Sequence, residues 1–137
     1  MAEQNNCCEN NEKKEVKTEC CCGGDKILIL ACSGGSNVGQ ISNNVMIELD
    51  KKGIGSSFCL AGVGGNLSGF IQSAKSAKNI LIDGCPLACG LAIFKNHNIQ
   101  PYKYFVITEL GIKKNHNFDK LKEETEEALT KIINKLE

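Results

Sequence analysis

In the segment Lys26-Ile-Leu-Ile-Leu-Ala-Cys32 the residues after the lysine are apolar without a break. A strand with one wet face would alternate, and a surface helix would show polar residues on its outer side. An unbroken apolar run of this length fits a strand covered on both faces, the condition of a parallel sheet. Asn79-Ile-Leu-Ile-Asp83 repeats the pattern, Tyr102–Thr108 follows Pro101 as another strand, and a shorter one is expected over Ser56–Ala61. Between these runs the spacing turns helical. Val38, Ile41, Val45 and Leu49 share one face and end before Gly53; Leu67, Phe70, Ile71 and Ala74 share another, with Asn66 as the expected cap. Gly84-Cys85-Pro86 opens a third helix with Pro86 at its first position. A last helix is expected over Phe118–Leu136, with Phe118, Leu121, Ala128, Leu129, Ile132 and Leu136 turned inward and a solvated Lys/Glu face outward.

Strands alternating with helices call for right-handed crossovers and helices on both sides of the sheet. The expected fold class is α/β: a small four-stranded parallel sheet, Rossmann-like and doubly wound; the strand order does not follow from the sequence, and 2-1-3-4 is the natural arrangement for such a sheet. Two regions are expected. Residues 1–24 read as a disordered cysteine-rich tail, because Val16 is the one aliphatic side chain larger than alanine after Met1. Residues 25–137 read as a single α/β domain, a size that 137 residues in all can support.

Composition removes whole classes of function. Lysine plus arginine numbers 16, aspartate plus glutamate 16, and every basic residue is a lysine. A neutral chain without arginine is poorly suited to nucleic acid, where clustered Arg and Lys meet phosphate and guanine. It also lacks the guanidinium that a phosphatase loop uses to hold a transition state. No apolar run reaches the length of a membrane span, and the polar Met1–Glu19 segment lacks the apolar centre of a secretory signal. A cytoplasmic location is therefore expected, where thiols stay reduced. The nine cysteines then point to metal or redox chemistry before disulfides.

Four cysteines fall in the folded part. Cys32 ends the first strand, Cys59 lies in the last residues of the second, Cys85 follows the third, and Cys89 is expected one turn into the next helix. Parallel strands all end at one edge, so the three strand-end cysteines gather there, at the edge where open α/β sheets place ligands. Helical side chains lean toward the helix start, which lets Cys89 reach back over Cys85. Four thiolates suit a tetrahedral zinc ion with Zn–S distances of about 2.3 Å. Adjacent strands lie about 4.8 Å apart, so the outer side chains must lean inward. Glycine-rich turns and helix starts after each strand supply N–H groups that offset the negative charge.

Three motifs carry a resemblance: Ala31-Cys-Ser-Gly-Gly-Ser-Asn-Val-Gly-Gln40, Cys59-Leu-Ala-Gly-Val-Gly-Gly65 and Asp83-Gly-Cys-Pro-Leu-Ala-Cys-Gly90. In this order they resemble the DGC domain family of zinc-binding proteins, named for the Asp-Gly-Cys motif that stands here as Asp83-Gly84-Cys85. The likeness covers about residues 26–114, including Thr108-Glu-Leu-Gly-Ile-Lys-Lys114. It implies a metal held by Cys32, Cys59, Cys85 and Cys89, and it names no reaction. The cysteine-rich tail lies outside it.

Other motifs fail on inspection. Gly34-x-x-x-x-Gly39 matches the glycines of a phosphate-binding loop, but Gln40 and Ile41 stand where Lys and Ser/Thr are required. Gly62-x-Gly64 lacks the third glycine of a dinucleotide site, since position 67 is Leu. Asp83 is expected to fix the Gly84-Cys85 bend more than to act as a base, and Ser33 and Ser36 to cap the first helix. His97 and His116 fall in Asn-rich loops and are expected to be exposed.

The expected function is that of a metal-binding protein holding zinc through four cysteine thiolates at the C-terminal edge of the sheet, in metal handling or thiol redox. The alternatives are a thiol redox enzyme or sensor using Cys32 or Cys85, and an iron–sulfur protein, since four cysteines suit a cluster equally well. Cys7, Cys8, Cys20, Cys21 and Cys22 would serve a redox or metal-transfer partner.

Overall fold

The computed structural model describes residues 25–137. The tail reading, with its five cysteines, lies outside the described residues. The chain folds in the order β1 (Ile27–Ala31), α1 (Asn37–Lys51), β2 (Ser56–Ser57), α2 (Leu60–Gly64), α3 (Ser68–Lys75), β3 (Lys78–Asp83), α4 (Cys89–Asn96), β4 (Lys103–Val106), a 3-10 turn (Ile107–Leu110) and α5 (Leu121–Leu136). All strand pairs are parallel, and the sheet order is β2-β1-β3-β4. The expected doubly wound α/β architecture and its strand order are those observed.

The pleat sends alternate residues of each strand to opposite layers. Ile29 and Ala31 of β1, Ile80 and Ile82 of β3 and Phe105 of β4 join Val38, Ile41, Val45 and Leu49 of α1 and Ala128 and Ile132 of α5 in one core. Leu28 and Leu30 of β1 and Leu81 of β3 join Leu60 and Val63 of α2, Ala74 of α3 and Phe94 of α4 in the other. This is why β1 and β3 read as continuous apolar runs: both of their faces are buried. At about 25 cal/mol per Å² of apolar surface, two such cores are what hold the sheet.

Five boundaries differ from expectation. The strand expected over Ser56–Ala61 is only Ser56–Ser57. Its outer edge is closed by Asp50, whose carboxylate accepts the Ser57 N–H at 2.6 Å. That bond holds the Asp50 carboxyl below the usual carboxylate range. Leu60 and Val63 are then spaced for a helix against the second core, not for a strand. Asn66 does not cap the next helix: it takes a left-handed φ of 61° in the turn between α2 and α3, and Leu67 is the N-cap. The helix expected from Pro86 begins at Cys89. The fourth strand ends at Val106, where the chain tightens into the 3-10 turn. The last helix starts at Leu121, because Asn115 and Asn117 side chains accept the N–H groups of Asn117 and Asp119, each at 2.9 Å, and hold that stretch as turns. Gly53, at φ 73°, is the helix stop its position suggested.

Candidate thiol and metal centre

The C-terminal edge of the sheet is assembled by backbone. Cys32 N–H donates to the Ile82 carbonyl at 2.9 Å, so the β1–β3 ladder runs to the cysteine itself. The loop that follows is closed from within. The Gln40 amide donates to the Gly34 carbonyl at 2.8 Å. The Ser42 hydroxyl lies 2.6 Å from the Cys32 carbonyl and 2.7 Å from that of Gly39. Gly39 packs against the backbone of Gly34, and Gly84 against the backbone of Val38 and Gly39. The first turn of α1 is thereby seated directly on the Cys32 loop and on the end of β3. Ser36 occupies the N-cap of α1 in extended conformation, with no bond from its side chain.

Cys59 is not in a strand. It is the N-cap residue of α2, two residues beyond β2, and is exposed. Phe58 before it donates its N–H to the Ile29 carbonyl at 2.8 Å and sets its ring 5.3 Å from that of Phe70. Cys89 is the first residue of α4 and is exposed. Its place is set by Asp83. This carboxylate is 1% exposed and accepts the N–H groups of Gly90 at 2.8 Å and Leu91 at 3.0 Å. Those are the second and third positions of α4, the donors that an N-cap side chain normally satisfies. Ala88, in the N-cap position with φ 53°, has no side chain for that task. The bonds of Asp83 thus go to the start of α4 and to Tyr104, not to the Gly84-Cys85 bend it was expected to fix.

The same carboxylate accepts the Tyr104 hydroxyl at 2.9 Å. Burial raises the Tyr104 phenol above its ordinary value, and the Asp83 bond and charge push it the same way. The folded chain therefore binds the phenolic proton more tightly than the unfolded one. The resulting stability is complete below the ordinary phenol value near 10 and is lost as pH rises toward the higher folded-state value. The expected result is a urea midpoint that declines above about pH 10 and declines less steeply in Tyr104→Phe, which loses about 1 kcal/mol at neutral pH for the missing bond.

Cys32, Cys59 and Cys89 line one cavity of about 740 Å³, bounded also by Met46, Phe58, Phe70 and Ile93. Cys85 lies elsewhere. It is half-buried at the margin of the first core, and the Lys114 ammonium donates to its sulfur at 3.5 Å. The expected Cys85–Cys89 pairing rested on a helix that includes both. With α4 beginning at Cys89, Cys85 lies in the turn before the helix, and the one-turn spacing of a helix does not apply to the pair. Among the described residues, no group of three or more His, Cys, Asp or Glu side chains sits close enough to hold a metal ion. The donor type fits a soft metal and three of the four thiols face one space, but a closed four-sulfur shell is not formed.

Residues 28–132 match the DGC domain. The chain belongs to the DGC domain family. It is also 38% identical over 93 residues to the anaerobic and virulence modulator AnvM of Pseudomonas aeruginosa, a match covering 67% of this chain and 71% of that protein. No solved structure matches the chain significantly. Among the described residues no helix is long and apolar enough to cross a membrane.

In this DGC domain two functional neighbours escape a sequence reading. Lys114 reaches Cys85 across 29 positions. The fully buried Asn37 holds the Lys114 loop: its amide donates to the Lys113 carbonyl at 2.9 Å, its carbonyl oxygen accepts the Asn115 N–H at 2.7 Å, and its N–H donates to the Asn115 carbonyl at 2.9 Å. Nothing local marks either residue, since the contact joins the first helix to the loop before the last. His116 is exposed, with Nδ1 3.2 Å from the Gly35 carbonyl, and His97 ends α4; neither reaches the cavity.

Proposed function

We propose that this DGC domain is a thiolate metal-binding protein that takes up zinc through Cys32, Cys59 and Cys89. The observation that carries the reading is their convergence, from three separate elements, on one cavity at the sheet edge. Cys32 follows β1, Cys59 begins α2 and Cys89 begins α4. Membership of the DGC family supports the same chemistry. Holding one ion by all three requires the α2 and α4 walls to close toward β1. Three protein sulfurs would leave zinc a fourth position, which gives it Lewis acidity or exchangeable binding when loaded; a complete four-thiolate shell would make it structural. Cys85 is the residue that separates these cases. Its contact with Lys114 Nζ at 3.5 Å sets it apart from the other three.

The test is elemental analysis of full-length chain purified anaerobically without chelator, in a background where Cys7, Cys8, Cys20, Cys21 and Cys22 are serine. About one zinc per chain is expected. Cys32→Ser, Cys59→Ser and Cys89→Ser should each remove most of it, whereas Cys85→Ser should retain it. Loss on Cys85→Ser would restore the four-cysteine site. Negligible metal in the parent would end the zinc reading, and visible absorption with bound iron would replace it with a cluster.

A further inference from the structure

The cavity that Cys32, Cys59 and Cys89 share has more room, and more apolar wall, than a metal ion alone would use. It is an open cleft of about 740 Å³, within the roughly 300–1,000 Å³ range of clefts that bind organic molecules. The walls are Ala31, Leu60, Ala61 and Ile93, the tilted Phe58–Phe70 ring pair, and the soft thioether of Met46. Ser33, Ser57 and Asn43 are its polar contributors apart from the thiols. No lysine, aspartate, glutamate or histidine lines it. Nothing there recognises a charged organic group such as a carboxylate or phosphate. The thiols, standing on three walls, recognise a thiophilic atom. The remaining surface recognises apolar carbon.

Resting on the reading that these three thiols are soft-metal donors, we infer that the preferred guest is a soft metal ion that carries an apolar organic group. An organometal cation of the type R–M⁺, with R an aryl or short alkyl group, satisfies both halves of the cavity at once. The metal needs only one or two sulfurs, so three thiols need not converge as they must for a bare ion. The organic group occupies space that would otherwise hold water against phenyl rings. The step is a ligand exchange without redox change. A cysteine S–H loses its proton, a sulfur–metal bond forms, the bond from the metal to its outgoing anion breaks, and the proton leaves with that anion. Cys85 takes no part, since it lies outside the cavity against Lys114.

Phenylmercury and methylmercury are the probes, because they share the same metal and charge and differ in apolar surface. The full-length chain with serine at the five tail cysteine positions is loaded with one equivalent of either and challenged with excess glutathione. Retained mercury is then measured by native mass spectrometry. Individual protected cysteines are found by alkylating the free thiols and mapping peptides. Phenylmercury should be retained at least about tenfold better than methylmercury, as burial of a phenyl ring predicts. Protection should fall on Cys32, Cys59 or Cys89. Ala61→Phe, at an exposed position on the cavity wall, should abolish the phenyl preference by filling the chamber. Replacing Cys32, Cys59 and Cys89 together by serine should abolish retention, and Cys85→Ser should not. Equal retention of the two probes, or a phenyl preference that survives Ala61→Phe, would overturn the inference. Zinc uptake without any phenyl preference overturns this inference alone; a phenyl preference in a chain that takes up no zinc overturns the zinc reading alone.

Discussion

Asp83→Ala should lower the urea midpoint of this domain by about 1–2 M. The carboxylate is buried and accepts three hydrogen bonds, from Gly90 N–H, Leu91 N–H and the Tyr104 hydroxyl. Loss of a helix cap costs about 1 kcal/mol. Each buried donor left without a partner adds about 1–3 kcal/mol where water cannot replace the lost acceptor. Leu91 and Tyr104 are half-buried and regain part of that from solvent, whereas Gly90 is buried and does not. A total of about 3 kcal/mol, with a urea slope of about 2 kcal/mol per M, gives the stated shift. Tyr104→Phe removes one of the three bonds and should cost about a third as much. An unchanged midpoint in Asp83→Ala would show that the carboxylate is not what holds α4 to the strand end. The effect should reach the thiols as well. Cys89 is the residue just before the two capped amides, so releasing them frees the start of α4. Zinc uptake at low temperature, where the variant stays folded, should weaken without any change to a cysteine.

That coupling also explains what could be read along the chain and what could not. Ile27–Ala31 and Lys78–Asp83 were legible because burial on both faces leaves a local mark, a run with no polar break. The first helix was legible because Val38, Ile41, Val45 and Leu49 all meet one core. The alternation of elements pointed to a parallel sheet but did not fix its strand order, which is the natural 2-1-3-4 of a small doubly wound sheet. The start of α4 was not legible. Pro86 is a good first helical residue, yet the helix begins where Asp83 supplies acceptors, and that acceptor lies on another element. This shift of three residues decides the site. It puts Cys89 among the residues lining the cavity and leaves Cys85 in a turn beside Lys114. The gathering of the cysteines at one edge could be inferred from their places along parallel strands. Their division into three plus one could not, because it depends on contacts across 7 and 29 positions.

Two glycine-to-alanine substitutions in helices should have opposite signs. Gly69 lies in α3, and a methyl group added there meets nothing within 4 Å. Alanine is favoured over glycine in a helix interior by up to about 1 kcal/mol, so Gly69→Ala should raise the midpoint by about 0.5–1 kcal/mol in stability. Gly39 lies in α1, where the same propensity applies. There the added carbon would sit 2.6 Å from the Gly34 nitrogen, 2.7 Å from its oxygen and 2.8 Å from its Cα. These are backbone atoms, and no rotamer change relieves the overlap. Overpacking of this kind costs about 1–3 kcal/mol or more, and the helix preference recovers only part of it. A net loss of about 2 kcal/mol is expected for Gly39→Ala. The strain is relieved by moving the Gly34 loop away from α1, which carries the neighbouring Cys32 with it, since a carbon added at Gly34 would lie only 3.3 Å from the Cys32 sulfur. Gly39→Ala should therefore lose metal affinity as well as stability, while Gly69→Ala gains stability and keeps its metal. Urea midpoints and zinc stoichiometry of the two variants, measured side by side, check both halves. A stabilising Gly39→Ala would mean that the loop yields freely and that the Cys32 thiol is not held by the seating of α1.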